Sequence, residues 1–454
     1  MSIRSSFISE ITFPLLASYR GLNGLRSNIR FLESSQFWSA EKLHDFQQEK
    51  LKEILIYAYE NTVYYRKIFS EAGFNPYRFR HPDEICKIPF LTKEIIRENY
   101  SDLLSVKYSD KERHCSETGG TTGVKMVFCR DNECLSMKEA SLLRFDTWTG
   151  WKIGEVSSLV WPAQQDYVGN YNWKSRIINA FYLRQLVCPA AVIDEDLIKG
   201  YLGKFQIQKP KMIRAFPSPI HEIAQYVLKN QMELPGVKGI VTTGEPLLRQ
   251  QREEISQAFQ GPVFDSYRTR EMGPVAQECE QHYGLHVNAE TLFVEIIPGD
   301  ESTPDDETGE VVVTDLLNRG MPFIRYQIGD YARFLRGECD CGRKLPQLET
   351  IEGRTGDVFI TPDNRRIMAG SLVLYLIDES PGKTGQVQIL QDRLDHLTIL
   401  STGDPPLSNQ IKEYQYRKVK ELFGKEMQIS FKTVESIPRE PGGKYRFAKC
   451  TVSR

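Results

Sequence analysis

Three features of the 454-residue sequence predict an α/β fold, with a large composite N-terminal part and a small α+β C-terminal part. Short β-rich runs alternate with longer helical or polar stretches, antiparallel-type strands follow them, and the texture changes again past Arg354. The length itself points to two domains, because single hydrophobic cores stop growing at about 250–300 residues. From Glu41 to Gly73, Leu43, Phe46, Leu51, Ile54, Leu55, Ala58, Tyr65, Ile68 and Phe69 recur at three- and four-residue steps, which predicts an amphipathic helical lead-in ended by Gly73. Ser158 to Trp161, Met212 to Phe216, Gly239 to Thr243 and Val263 to Tyr267 are the β-rich runs, and their spacing by helical stretches predicts a largely parallel sheet. Leu292 to Ile297, Val311 to Asp315 and Phe323 to Tyr331 follow, with the turn-rich loop Gly299 to Asp306 among them, and read as antiparallel strands. Past Arg354, β-runs Gln386 to Leu390, His396 to Ser401 and Met427 to Val434 surround a helix at Ser408 to Phe423. The expected division is 1–352 and 353–454.

Charge and cysteine usage exclude several classes of function. A net charge of -2 supplies no basic field to hold a phosphate backbone, so nucleic-acid binding is not expected. Ile8 and the run Ile11 to Leu16 are interrupted by Glu10 and Pro14, too short and broken for a signal or membrane-spanning segment. The nine cysteines are an odd number in a long chain without a small-domain disulfide pattern, which fits a cytoplasmic protein. Cys115 and His114 adjoin in sequence, and are read as structural rather than as a nucleophile and its base.

Ser116-Glu117-Thr118-Gly119-Gly120-Thr121-Thr122-Gly123-Val124-Lys125 concentrates glycines and threonines where backbone amides and hydroxyls can surround an anionic oxygen. It lacks the Lys-Ser/Thr pair of the G-x-x-x-x-G-K-[ST] nucleotide loop. Taken alone it is equally a Gly/Ser/Thr-rich surface loop. Its companions along the chain are Thr242-Thr243-Gly244-Glu245-Pro246, Tyr267-Arg268-Thr269-Arg270-Glu271-Met272-Gly273, Arg325-Tyr326-Gln327-Ile328-Gly329-Asp330, Gly353-Arg354 and Gly442-Gly443-Lys444-Tyr445-Arg446.

In that order and at that spacing, the motifs resemble those of the adenylate-forming ligase superfamily, in its phenylacetate-CoA ligase-like and capsular polysaccharide biosynthesis (CapK-like) branch, from about Glu41 onward. The resemblance implies an ATP-dependent enzyme that joins a carboxylic acid to AMP and then passes the acyl group to an acceptor, with ATP between the large part and a small mobile domain. It implies that Thr118, Gly119, Gly120, Thr121, Thr122 and Gly123 wrap the β- and γ-phosphates, that Gly244 and Glu245 border the adenine, and that Tyr267 stacks on it. Glu271 would hold Mg²⁺, Asp330 would accept from the ribose hydroxyls, and Arg354 would reach the ribose or phosphate. Lys444 would offset charge developing on the α-phosphate. Residue by residue there are plainer readings: a surface ion pair for Asp330 with Arg325, core packing for Tyr267, a solvated side chain for Lys444. Arg268 and Arg270 depart from the family, which has glycine and threonine there. Arg270 either replaces the threonine's phosphate contact or meets an anionic acceptor, so either the nucleotide pose or the substrate differs.

The expected acceptor is coenzyme A, with a carrier protein as the alternative, and the acid is small: aryl, amino or short acyl. Its pocket is expected from Trp161 to Asp166, Arg214 to Ser218 and Gly244 to Pro246. A homodimer is the assembly considered. Cys279, His282, His286, Cys339 and Cys341 form a second constellation, in which three thiolates and an imidazole would suit a closed structural Zn²⁺ site; the resemblance implies Cys279, His286, Cys339 and Cys341 as the ligands, with His282 as the rival imidazole, and reduced cysteines with surface histidines are the plainer reading. Two other classes stay open: a non-catalytic nucleotide-binding homologue serving as scaffold or sensor in polysaccharide assembly, and a zinc hydrolase, which would need an open metal position.

Overall fold

The computed structural model describes residues 7–118, 126–162, 184–298, 308–354, 358–363, 365–378, 380–381, 384–403, 406–438 and 445–452. The predicted loop 299–306 therefore lies outside the described residues. Helices α1 (Phe13–Tyr19) and α2 (Leu25–Ser35) open the chain. The long periodic stretch after them is two helices, α3 (Ala40–Asn61) and α4 (Val63–Glu71). Thr62 divides them: its backbone is extended, and its hydroxyl accepts from the Tyr65 N–H at 3.2 Å, an N-cap inside an uninterrupted apolar pattern. Gly73 takes φ +62°, the left-handed conformation that ends the second helix.

A hairpin of β1 (His114–Glu117) and β2 (Val127–Arg130) follows, and α5 (Asn132–Thr147) leaves it, capped by Asp131. Then come β3 (Ser157–Trp161), β4 (Gln185–Pro189), α6 (Glu195–Gln208), β5 (Met212–Ala215), α7 (Pro217–Lys229), β6 (Gly239–Thr243), α8 (Arg249–Phe259) and β7 (Val263–Thr269). The antiparallel portion is β8 (Gly273–Glu278), β9 (Leu285–Val287), β10 (Leu292–Pro298), β11 (Gly309–Asp315), β12 (Tyr326–Phe334) and β13 (Gln347–Arg354).

Among the described residues β3 to β13 form one sheet, in the order β10-β11-β12-β13-β9-β8-β7-β6-β5-β3-β4. Strands β4, β3, β5, β6 and β7 are parallel and the rest antiparallel, the mixed sheet that the sequence predicts. The parallel strands are buried on both faces, which is why they read as nearly continuous apolar runs. Ile213, Ala215, Ile240 and Val263 pack under α6, α7 and α8, whereas Met212, Val241 and Phe264 pack against α2 and α5. β12 begins three residues later than its apolar run. Arg325 has φ +52° and turns the chain so that the Leu91 N–H donates to its carbonyl at 2.9 Å.

After β13 come a small pair, β14 (Val358–Ile360) and β15 (Arg366–Met368), then β16 (Val387–Arg393), β17 (His396–Ser401), α9 (Asn409–Phe423), β18 (Gln428–Thr433) and β19 (Ala448–Cys450). The sheet order is β18-β17-β16-β19, with α9 as the crossover between parallel β17 and β18. Ile389, Leu397, Ile399, Val419, Phe423 and Met427 close a core of its own, to which Leu248 is the one contributor from the N-terminal part among the described residues. The large sheet-rich region and small C-terminal domain agree with the expected fold class. No helix among the described residues is long and apolar enough to cross a membrane.

Candidate active site

The motifs converge on the carboxyl ends of the parallel strands and on the antiparallel strands beside them, where open α/β sheets bind ligands. Thr118 follows β1; its hydroxyl accepts from the Met126 N–H at 3.0 Å and its own N–H donates to the Met126 carbonyl at 2.9 Å. These bonds close the base of the phosphate-loop motif, whose Gly119, Gly120, Thr121, Thr122 and Gly123 lie outside the described residues. Cys115 and Cys129, register partners across the β1–β2 pair, form a disulfide with a Cα separation of 4.0 Å. The pair forms although the cysteines as a set show no small-domain disulfide pattern. The His114 imidazole turns away to Asn132, 2.6 Å from Nε2 to Oδ1, so His114 and Cys115 are not a catalytic pair.

Arg270 and Glu271 occupy the tight turn between β7 and β8. Carbonyls in this turn are fastened from below: the Arg130 guanidinium donates to those of Arg270 and Glu271, the latter at 2.7 Å, and the buried Lys138 ammonium donates to that of Met272 at 2.6 Å. With the backbone so held, the Arg270 Nη1 reaches the Glu117 carbonyl at 3.3 Å, next to the phosphate-loop base. The Tyr326 hydroxyl donates to the Glu271 carboxylate at 3.1 Å. Arg268, in contrast, points toward α5: it donates to the Ser266 hydroxyl at 2.7 Å and to the Gln277 amide oxygen at 2.9 Å, with Asp146 3.8 Å away.

Tyr267 and Asp330 meet directly, the buried tyrosine hydroxyl donating to the carboxylate at 2.7 Å. Asp330 is thus not the partner of Arg325, whose guanidinium pairs instead with Glu295 at 3.1 Å and donates to the Ile88 carbonyl at 2.7 Å. The backbone of Arg354 lies opposite Asp330 in the β12–β13 pairing; its side chain lies outside the described residues. One strand over, Thr243 is the register partner of Ser266, which sets Gly244 and Glu245 beside Tyr267. Gly244 has φ +88°, and a Cβ there would come 2.5 Å from the Phe216 ring, so glycine is required.

Glu245 is buried and links distant parts of the chain. One carboxylate oxygen accepts from both the backbone N–H (3.0 Å) and the hydroxyl of Ser218; the other accepts from the Tyr445 N–H at 2.6 Å. Lys444 lies outside the described residues, but its immediate neighbour is seated on this strand-end. Ser218 comes from the segment expected to line the acid pocket, and Arg130, Lys138, Tyr326 and Tyr445 complete the site without having been marked by the motifs as functional groups in their own right. The signal available was that Tyr326 and Tyr445 lie inside recognised motifs.

The second constellation assembles as the sequence predicts. Cys279, His286, Cys339 and Cys341 bring their ligand atoms within 4.8 Å of one another. Two thiolates bound to Zn²⁺ at tetrahedral angles stand about 3.8 Å apart, and a thiolate and imidazole about 3.6 Å. The Cys279–Cys339 sulfur separation is 3.6 Å, and the Cys341 sulfur lies 3.4 Å from His286 Nε2. His286 Nδ1–H donates to the Leu345 carbonyl at 3.4 Å, leaving Nε2 as the metal-facing atom. Burial holds this imidazole down to about 4, hence neutral and able to ligate. Burial raises the Cys279 thiol. At Cys341 the backbone N–H and guanidinium of Arg343 outweigh burial and lower it. His282, the rival, has φ +52° and directs Nδ1 to Glu278 at 3.0 Å, away from the thiols. The donor set fits a closed four-coordinate zinc site tying β9 to the loop between β12 and β13.

Comparison with known proteins places this geometry. Protein CapK of Staphylococcus aureus is 27% identical over 416 residues, covering 89% of each chain. The phenylacetate-coenzyme A ligase of Thermus thermophilus is 25% identical over 433 residues, covering 89% of this chain and 96% of the relative. The chain is thus similar to CapK and to the phenylacetate-coenzyme A ligases along most of its length. Residues 359–451 match the CapK C-terminal domain family. Among solved structures, 2-hydroxyisobutyryl-CoA ligase in the postadenylation state superposes with a TM-score of 0.73 at 19% identity, covering 90% of both chains; an open conformation of that ligase gives 0.63. The fold of this chain is therefore that of the adenylate-forming ligases.

Proposed function

We propose that this chain is an AMP-forming acid ligase, in which a small carboxylic acid attacks the α-phosphate of ATP, pyrophosphate leaves, and the acyl group passes from AMP to coenzyme A. The observation that supports this reading is the bond from the Tyr445 N–H to Glu245, because it seats Tyr445, the sequence neighbour of Lys444, at the strand-end that also presents Gly244, Tyr267 and Asp330. An ammonium at that point offsets charge developing on the α-phosphate as the carboxylate attacks. Tyr267 and Asp330, joined by their hydrogen bond, serve the adenosine, and Arg354 approaches the ribose or phosphate from the strand beside Asp330. Thr118 to Gly123 take the departing phosphates, with Arg270 adding a guanidinium at the loop's base. Glu271 is the residue that would hold Mg²⁺, which supplies charge neutralisation for the pyrophosphate. The Cys279, His286, Cys339 and Cys341 set holds Zn²⁺ as a brace, with no open position for chemistry. A division at 352/353, with 353–454 moving between half-reactions, a cytoplasmic setting and a homodimer belong to the same reading, and coenzyme A is preferred over a carrier protein as acceptor because the phenylacetate-coenzyme A ligases are relatives along most of their length.

The test is acid-dependent exchange of pyrophosphate into ATP across a panel of acids, for wild type and Lys444→Ala, alongside transfer from preformed acyl-AMP to coenzyme A. The expected result is a loss of roughly 100- to 1,000-fold in exchange on Lys444→Ala with transfer far less affected. Equal loss of both half-reactions contradicts the role given to Lys444. ATP binding without exchange on any acid favours instead a non-catalytic sensor or scaffold.

A further inference from the structure

Behind the Tyr267 and Gly244 edge lies a polar cluster around Arg214, a residue of the expected acid pocket, whose other members the adenylation reading leaves unused. Asp146 is on α5, Arg214 on β5, Thr243 at the end of β6 and Arg268 at the end of β7. All face α5, on the side of the sheet where Met212, Val241 and Phe264 pack below them. Arg214 pairs with one Asp146 oxygen, and an Arg268 nitrogen stands 3.8 Å from the other. Two guanidinium groups therefore face one carboxylate, a net positive charge in a site closed off by the Gln277 amide, which is itself fixed to the Phe145 carbonyl at 2.7 Å.

A purely structural network at this depth would satisfy its own members, since buried polar groups nearly always find partners. This one does not. Asp146 Oδ1, Arg214 Nε and Thr243 Oγ1 are all buried without a hydrogen-bond partner among the described residues. Asp146 and Thr243 keep 0% and 3% exposure, while Arg214 and Arg268 keep 16% and 12%, so the arginines are the members that a ligand meets first. Burial, followed by the charge of Arg214, pulls Arg268 down to about 9.

We propose that the acid substrate carries a second carboxylate, held by the Arg214 and Arg268 guanidinium groups with the Thr243 hydroxyl, while its reacting carboxylate faces the Lys444 segment. The inference rests on the adenylation reading above and narrows its substrate to short dicarboxylic acids. Planar guanidinium forks match a carboxylate in two-point geometry. Asp146 keeps the two cations in place when the site is empty. A neutral acyl chain would leave these buried polar groups unsatisfied, which is how a polar site rejects an analogue lacking the matching group.

The experiment compares matched pairs in pyrophosphate exchange: succinate with butyrate, glutarate with pentanoate, and 2-carboxyphenylacetate with phenylacetate. For at least one pair, the diacid is expected to exceed its partner by 100-fold or more in kcat/KM. Arg214→Met should shrink that ratio to below tenfold, chiefly through KM for the diacid, and Arg214→Lys should restore part of it. A thermal shift with ATP establishes that each variant is folded. Monoacids equal to or better than every matched diacid, with a ratio that Arg214→Met leaves unaltered, overturn the proposal while leaving adenylation standing. Absence of exchange with every acid removes adenylation itself, and this proposal with it.

Discussion

The contact between Glu245 and the Tyr445 N–H makes a sharp prediction, because it should matter in only one half-reaction. Glu245 is buried and holds three donors, two from Ser218 on the N-terminal side and one from Tyr445 on the C-terminal side. A hydrogen bond to a charged group contributes about 1.5–3 kcal/mol. If that free energy seats the Lys444 segment for adenylation, its removal lowers the seated population, and with it kcat/KM for adenylation, by about 10- to 150-fold. Glu245→Gln keeps the shape and an acceptor for one side, so it should fall near the lower end; Glu245→Ala should fall near the upper end. The assay is pyrophosphate exchange, read against thioester formation from preformed acyl-AMP and coenzyme A in the same preparations. Thioester formation should change less than threefold if, as proposed, the C-terminal domain has then left Glu245. Equal losses in both half-reactions, or exchange unaffected by Glu245→Ala, would refute the seating argument, and a shared loss would instead mark Glu245 as a structural support of the Ser218 turn.

Three further outcomes follow from the geometry. If the proposed zinc only braces β9, Cys341→Ser should lower bound zinc from one equivalent to none by metal analysis and reduce the melting temperature by about 5 °C or more, while folded protein assayed in the cold keeps its kcat. Reduction of the Cys115–Cys129 disulfide frees a 14-residue separation whose closure is worth at most about 3 kcal/mol, much of it already supplied by the β1–β2 pairing; ATP affinity measured by calorimetry should weaken about fivefold, and identical affinities with and without reductant would show that the clasp does not order the loop. Burial, with Glu278 beside it, pushes the Asp265 carboxyl up to about 7, so the native chain holds a proton that the unfolded chain releases near pH 4; stability from this group is full below pH 4 and declines as pH rises through 7, and Asp265→Asn should flatten the melting temperature across that interval.

How much of this was legible depended on whether the deciding contact was local. The parallel strands could be read because burial on both faces leaves continuous apolar runs, and the Cys/His set because the motifs of the resembled branch include it. The physical reason for His286 over His282 lies in strand register: Gln347 pairs with His286 in the β9–β13 ladder, whereas the left-handed backbone at His282 sends its ring to Glu278. The division of the lead-in at Thr62 escaped the pattern because an N-cap changes backbone direction without changing apolar spacing. The disulfide escaped it because Cys115 and Cys129 become partners only once the hairpin register is set. Glu245 and Tyr445 are 200 residues apart, and nothing in either motif announces the other.

The two departures from the family pattern show why such long-range bonds matter to function. From sequence, Arg268 and Arg270 raised one question, whether the nucleotide pose or the substrate had changed. Their side chains answer from opposite sides of the β7 end. Arg270 turns to the Glu117 carbonyl at the phosphate-loop base, the position from which a guanidinium can bind a phosphate oxygen in place of the family's threonine. Arg268 turns to Ser266, Gln277 and Asp146, away from the phosphates and into the cluster that includes Arg214. A glycine at 268 could not charge that cluster, and Asp146 paired with Arg214 alone would be neutral. The single added guanidinium is what tips the site positive, so Arg268→Gly should move acid preference toward uncharged acyl chains while leaving ATP affinity within twofold; a fall in ATP affinity with unchanged acid preference would reassign Arg268 to the nucleotide.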